Sequence, residues 1–297
     1  MNEIHKPVLL NEVTEYLNLK PGMNIIDATL NGGGHSAVIL EKVGHRGKVI
    51  GIEIDSELAS ATRLKVKNKN LKNLIVVNDS YVNIKKICRE YNFRPNGILF
   101  DLGLSSWHYE KSGRGFSFKR NEMLDMRFNK ESGILTAAEI VNTYNKEELE
   151  RIIRERGEEQ FSKSIAENIV SARKQKQIMA TGELVEVVRD SVPGWYKKRK
   201  IHFATKTFQA LRIAVNDELG NVEKGVSSAI DVLEPGGRLA VISFQGLEDK
   251  IVREIFKKKT KEGIVRFVVK GTVKPRWEEV KENPRARSAK LKVVEKI

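Results

Sequence analysis

The sequence predicts an α/β protein: a mostly parallel sheet flanked by helices, interrupted by an inserted all-helical domain. Three observations predict it. Short apolar strands alternate with amphipathic helices from residue 24 to residue 104. The alternation then stops, and residues 136–190 show helical spacing only. It returns near residue 216 and continues to the end of the chain.

In order, Asn24–Asp27 reads as a short buried strand. Gly32, Gly33 and Gly34 form a turn before a helix over 35–43. A second strand covers 48–53, a helix 56–67, a third strand 74–77, a helix 82–91 and a fourth strand 98–101. Strands joined through helices imply parallel pairing with right-handed crossovers. Residues 105–130 are loop-like, with Gly113, Gly115 and many polar residues. A helix over 217–233 stops at Pro235-Gly236-Gly237 and leads to a strand at 238–244. A helix over 247–259 and two strands at 264–270 and 289–296 follow. The expected domains are therefore 1–104 and 212–297 for the sheet and 105–211 for the insertion.

Of the 297 residues, 40% are hydrophobic and 31% charged, as in an ordinary globular protein. No apolar run is long enough to span a bilayer, and Met1–Lys6 has no signal-peptide core, so a cytoplasmic location is expected. A single cysteine, Cys88, excludes a disulfide framework and a cysteine-based zinc site, and the five histidines show no metal-ligand spacing. No metal is expected. The net charge of +14 points to a polyanionic partner such as nucleic acid.

Ligands of open parallel sheets bind at the carboxyl ends of the strands. Asp27, Glu53 and Asp101 end the first, second and fourth expected strands, and Asp79 lies just after the third. The glycine run after Asp27 lets a ligand approach backbone at a helix N-terminus. Glu53, 19 residues beyond Gly34, suits two ribose hydroxyls of NAD, FAD or S-adenosylmethionine. Asn31-Gly32-Gly33-Gly34-His35-Ser36 is a poor G-x-G-x-x-G pyrophosphate cradle. Asp27 would repel a pyrophosphate and attract an ammonium. S-adenosylmethionine is favoured over NAD.

A series of motifs then carries a resemblance. They are HKPVLLNE at 5–12, DATLNGGGHS at 27–36, DLGLSS at 101–106, RGFSF at 114–118 and LDMR at 124–127. RGEEQFSKSIAENIV at 156–170, HFATKTFQALRIAVNDEL at 202–219, ISFQGLED at 242–249 and NPRARSAKL at 283–291 complete it. In this order they resemble the MraW family, the ribosomal RNA small subunit methyltransferase H family, nearly end to end. The resemblance implies a class I, Rossmann-like S-adenosylmethionine methyltransferase sheet with an inserted helical domain for substrate recognition. It implies methylation of the N4 amine of a cytidine in the decoding region of 16S rRNA, and hence the small ribosomal subunit as partner. It also implies that Gly33, Gly34 and His35 line the methionine part of the cofactor, that Glu53 holds the ribose, and that Tyr81, Asp101 and His108 complete the pocket. The sequence departs from the family pattern at Asn31 (usually Gly), Glu53 (usually Asp), Trp107-His108 (usually Pro-Gln), Asn121-Glu122-Met123 (usually Asp-Gly-Pro) and Gln245-Gly246 (usually His-Ser). Asparagine is the next-best residue for a left-handed turn.

An exocyclic cytosine amine is a weak nucleophile, because its lone pair is delocalised into the ring. Acceptors on its N–H groups would localise that pair, and Asp101 with Ser105 is the candidate set; Asp101 serving only as a cofactor ligand is the alternative. Methylation at cytosine C5 needs a cysteine nucleophile. Cys88 falls on an expected helix, where buried packing suits it better. Spacing leaves ribose 2′-O methylation open.

Residues 191–216 contain no Asp or Glu. Lys197, Lys198, Arg199, Lys200, Lys206 and Arg212 are interleaved there with Trp195, Tyr196, Phe203 and Phe208, which suits phosphates and unstacked bases. Phe208 also reads as a core residue of a helix. Arg285, Arg287 and Lys290 form a second basic cluster, for RNA or for bracing the last strand. Arg127 has Asp125 as a local partner or phosphate as a distant one, and Phe116 and Phe118 are pocket walls or anchors. A non-catalytic ribosome-assembly factor with the same fold, or an NAD-linked oxidoreductase, is the competing reading. The sequence leaves the oligomeric state open, a homodimer included.

Overall fold

A computed structural model describes residues 7–297. His5 and Lys6, the start of the first motif, lie outside the described residues. The chain forms two compact units: residues 1–105 with 219–297, and residues 106–218.

The first unit begins with α1 (Leu10–Tyr16), which the sequence did not signal, and continues through β1 (Asn24–Asp27), α2 (Gly34–Val43), β2 (Lys48–Glu53), α3 (Ser56–Asn68) and β3 (Leu74–Asn78). A single 3-10 turn at Tyr81–Asn83 leads into α4 (Ile84–Glu90), and β4 (Gly97–Leu102) follows. The second unit holds α5 (Ser106–Glu110), α6 (Ala137–Thr143), α7 (Lys146–Gly157), α8 (Ser162–Gln175), α9 (Thr181–Asp190), α10 (Gly194–Lys197) and α11 (Thr205–Asn216). The chain then returns through α12 (Glu218–Val232), β5 (Arg238–Ser243), α13 (Gly246–Lys261), β6 (Val265–Phe267), α14 (Trp277–Glu282) and β7 (Lys290–Lys296). The expected break at 211/212 falls inside α11, which is continuous to Asn216.

The sheet runs β3-β2-β1-β4-β5-β7-β6. β1 to β5 pair in parallel, and β7 lies antiparallel between β5 and β6. This is the class I methyltransferase arrangement that the motifs implied. Side chains alternate across it with period two. Ile26, Phe100 and Val241 face a core with Val226 and Ile230 of α12 and Phe256 of α13. Ile25, Leu99 and Ile242 face the opposite core with Val13 of α1 and Ile39 and Val43 of α2. The strand order reverses between β1 and β4, which places the ligand crevice outside their carboxyl ends.

The strand expected over 264–270 is shorter. Only Val265–Phe267 pairs with β7 as a strand; Val268 makes one further bond to Val293, and the chain then loops through Gly271 at φ 99° before Val273 rejoins Leu291. Here turn chemistry overrides the β-rich composition.

In the helical unit the sequence sets helix starts by capping. Thr136 with Glu139 and Asn145 with Glu148 form reciprocal boxes that begin α6 and α7. The core joins Leu149 and Ile153 of α7, Ile165 and Ile169 of α8, and Leu211 of α11, all buried. α7 and α11 approach closely at Gly157, where an added Cβ would lie 2.5 Å from Lys206 O and 3.1 Å from Ala210 Cβ. Gly157→Ala is expected to destabilise the protein by about 1–3 kcal/mol in urea unfolding, because backbone and not a flexible side chain would have to move. An unchanged midpoint would contradict this close contact.

Candidate active site

The carboxyl ends of β1, β2 and β4 bring three acids together in the sheet unit. Asp27, Glu53 and Asp101 are 1%, 5% and 1% exposed. The backbone between β1 and α2 wraps around them. Asn31, Gly32 and Gly33 take successive left-handed conformations at φ 47°, 86° and 88°, so the asparagine performs the turn that the usual glycine would. The Asn31 N–H donates to Glu53 Oε2 at 3.0 Å, and its side-chain amide donates to the Asp101 carbonyl at 3.2 Å. The Asp55 N–H donates to Glu53 Oε1 at 3.1 Å. Glu53 thus holds the glycine turn to the end of β2.

Each aspartate is fixed by a neighbour that sequence reading passed over. The Ser36 hydroxyl, in the first turn of α2, donates to Asp27 Oδ2 at 2.6 Å. The Asp101 N–H donates to the Thr29 hydroxyl at 2.6 Å. His35 sits between the acids and the N-terminal segment: Nδ1 is 3.6 Å from Asp101 Oδ2, and Nε2 is 3.0 Å from the Val8 carbonyl. The signal for Thr29 and Ser36 was present in the run 27–36, where both hydroxyls flank the glycines.

Burial governs the charge of Asp27 and Glu53. Desolvation pushes Asp27 up to about 6 despite His35 and Ser36, and pushes Glu53 up to about 8 against two backbone hydrogen bonds. Asp27 Oδ1 is buried and meets no hydrogen-bond partner among the described residues. Buried acids with a vacant acceptor suit a ligand carrying positive charge and hydroxyl donors. Asp79 stands apart from this group: it accepts from Ser80 N–H at 2.6 Å and Asn83 at 2.7 Å within its own turn. Tyr81 is turned inward, its ring 5.3 Å edge-on to Phe100 and against Gly225 of α12.

The family model described as the MraW methylase family matches residues 2–297. The chain belongs to the MraW methylase family. The methylase is 46% identical to a protein of Dictyoglomus thermophilum, over 100% of this chain and 98% of that one. It is 43% identical to one of Acetivibrio thermocellus, with 99% of each chain covered, and 44% identical to one of Thermosipho melanesiensis, covering 100% and 99%. All three relatives are named ribosomal RNA small subunit methyltransferase H. The cofactor is S-adenosylmethionine, and the residues fit it: the buried Asp27 Oδ1, without a hydrogen-bond partner among the described residues, would suit its ammonium.

Elsewhere in the methylase, Ser105 is fully buried at the end of the first segment of the sheet unit. His108 belongs to the helical unit, buried edge-on to Trp107, Phe116 and Phe128 at 5.3–5.4 Å. Phe116 is therefore an anchor, stacked on Phe128 at 5.5 Å. Arg127 takes the local option, bidentate to Asp125 at 2.7 and 2.9 Å. The loop of 105–128 is held closely rather than free: buried Met126 is forced to φ 63°, with its carbonyl on Asn216 of α11.

Lys197, Lys198, Arg199 and Lys200 are all exposed after Trp195, which is 59% exposed. Arg199 lies over Tyr196, whose hydroxyl donates to buried Glu159. Phe118, His202 and Phe203 stack in series at 4.5 and 4.2 Å, with Phe208 buried beneath Phe118. Lys206 is committed to the Glu158 carbonyl at 2.6 Å, and Arg212 to Glu218 at 2.8 Å. In the sheet unit Arg285 and Arg287 are exposed, while Lys290 braces Asp249 at 3.3 Å. No helix among the described residues is long and apolar enough to cross a membrane.

Proposed function

We propose that this methylase transfers the methyl group of S-adenosylmethionine to the N4 amine of a cytidine in the decoding region of small-subunit 16S rRNA, acting in the cytoplasm. The observation that carries the reading is the buried group Asp27, Glu53 and Asp101 at the strand-order reversal, in a chain whose full-length relatives are named for the small-subunit RNA.

Bound cofactor supplies an electrophilic methyl on a sulfonium. The residues of the chain do the rest. Asp27 Oδ1 takes the methionine ammonium, Glu53 the ribose hydroxyls, and the bend of Gly33, Gly34 and His35 the methionine backbone. Tyr81 serves the same pocket through its position beside Phe100. Asp101 would accept an N–H of the target amine, with Ser105 as second acceptor, localising the lone pair on nitrogen and taking the proton that the amine sheds on methylation. Lys197, Lys198, Arg199, Lys200, Arg285 and Arg287 hold phosphates, while Lys206 stays on the Glu158 carbonyl.

Incubation with labelled S-adenosylmethionine and small subunits lacking the modification, followed by nucleoside mass spectrometry, tests this reading. Label on cytidine N4 supports it; label on C5 or a ribose oxygen, or no transfer, overturns it. The C5 route is also chemically poor here. Cys88 is buried on α4 and its thiol is pushed up to about 11, so it supplies almost no thiolate at neutral pH. Cys88→Ala is expected to leave the methyl-transfer rate unchanged; a loss of turnover without loss of folding would return the cysteine to the mechanism.

A further inference from the structure

Trp277, at the start of α14 in the sheet unit, is 70% exposed. An indole left in water adds nothing to a core. Its ring is held by Lys281, whose Nζ is 5.4 Å from the ring centroid. α14 is itself anchored, since Glu279 accepts the Leu9 N–H at 2.8 Å.

The surroundings are basic. Residues 270–288 hold Lys270, Lys274, Arg276, Lys281, Arg285 and Arg287 against Glu278, Glu279 and Glu282. Lys274, Arg276, Lys281 and Arg287 are exposed, and none has a carboxylate within ion-pair distance among the described residues. Arg276 directly precedes the indole, and the 3-10 turn Pro284–Ser288 carries Arg287 immediately beyond the helix. The helical unit repeats this composition, with Trp195 exposed before Lys197–Lys200.

We infer that Trp277 and the cations around it form a second RNA-contact surface, on the sheet unit, where an unpaired base stacks on the indole and phosphates lie on Arg276, Lys281 and Arg287. The inference rests on the rRNA reading above. A flat π face beside unpaired cations is the chemistry of sequence-tolerant single-strand binding. The excess of cations over carboxylates, six to three in residues 270–288, argues for a phosphate partner over a protein one.

The test is equilibrium binding of a deproteinised small-subunit rRNA fragment across a range of salt concentrations. The proteins are wild type, Trp277→Ala, Trp277→Phe and Arg276→Ala, with S-adenosylhomocysteine calorimetry as a check on the cofactor site. Trp277→Ala is expected to weaken RNA binding roughly tenfold with an unchanged salt slope, because stacking releases no counterions. Trp277→Phe should restore most of that affinity. Arg276→Ala should reduce the slope by about one unit. Unchanged RNA affinity in Trp277→Ala, with wild type binding and methylating normally, overturns the inference alone. Weakened binding only to subunits that carry their proteins also overturns it, in favour of a protein contact. A wild type that binds no RNA overturns the rRNA reading and this inference with it.

Discussion

Asp101→Asn is expected to lower single-turnover methyl transfer by about a hundredfold or more, some 2.7 kcal/mol in the barrier, while S-adenosylhomocysteine still binds. The substitution is nearly isosteric. The backbone anchor to Thr29 is untouched by it, and the buried position at the end of β4 stays filled. What disappears is one of the two carboxyl oxygens that would accept an N–H of the target amine, among them the one that faces His35 at 3.6 Å. Rapid-quench kinetics with saturating cofactor and subunits separates the two roles open to this residue. A fall in the chemical step with cofactor affinity retained marks the acceptor. A fall in affinity with an unchanged chemical step would make Asp101 a cofactor ligand only.

Glu53 should make cofactor binding pH-dependent. Burial pushes its carboxyl from an ordinary 4.5 up to about 8, so the unliganded protein carries a proton there at neutral pH. Ribose hydroxyls need the ionised form as acceptor. Binding therefore releases a proton, and affinity for S-adenosylhomocysteine should rise several-fold per pH unit from pH 6 to 8 and level off above. Folding follows the opposite course. The raised pKa contributes stability that is fully present below about 4.5 and is lost as pH rises through about 8. Calorimetry in buffers of different ionisation enthalpy measures the proton directly. Glu53→Gln should bind ten- to a hundredfold more weakly, on the order of 1.4–2.7 kcal/mol, and should abolish the proton release. A pH-independent affinity in the wild type would contradict the ribose role.

Much of this was legible from residues alone. β1 through β5 follow from apolar runs bounded by Gly, Pro and Asn, since buried parallel strands leave a period-free signal that breakers delimit. The strand-end acids were visible because they recur at equivalent positions. Other features have no local signature. α1 and α14 are short, and their contact is made across 270 residues of chain by Leu9 and Glu279. The early end of β6 depends on a glycine turn that composition rich in Val and Phe conceals. Asp79 looked equivalent to the other three acids, yet it caps its own turn, because β3 ends one residue before it. Lys206 and Arg212 looked free for RNA in a segment without acids, but their partners come from the α7 terminus and from Glu218 at the start of α12. Periodicity reads burial along one element; it does not read which carbonyl or carboxylate a neighbouring element brings.

One pocket in the sheet unit carries the cofactor chemistry, and a crystal structure with S-adenosylhomocysteine bound examines it directly. The expected result is the methionine ammonium on Asp27 Oδ1, the ribose hydroxyls on Glu53, and the glycine bend at 32–34 against the methionine chain. Product bound elsewhere, or those carboxylates still turned onto protein partners with the crevice empty, would contradict it.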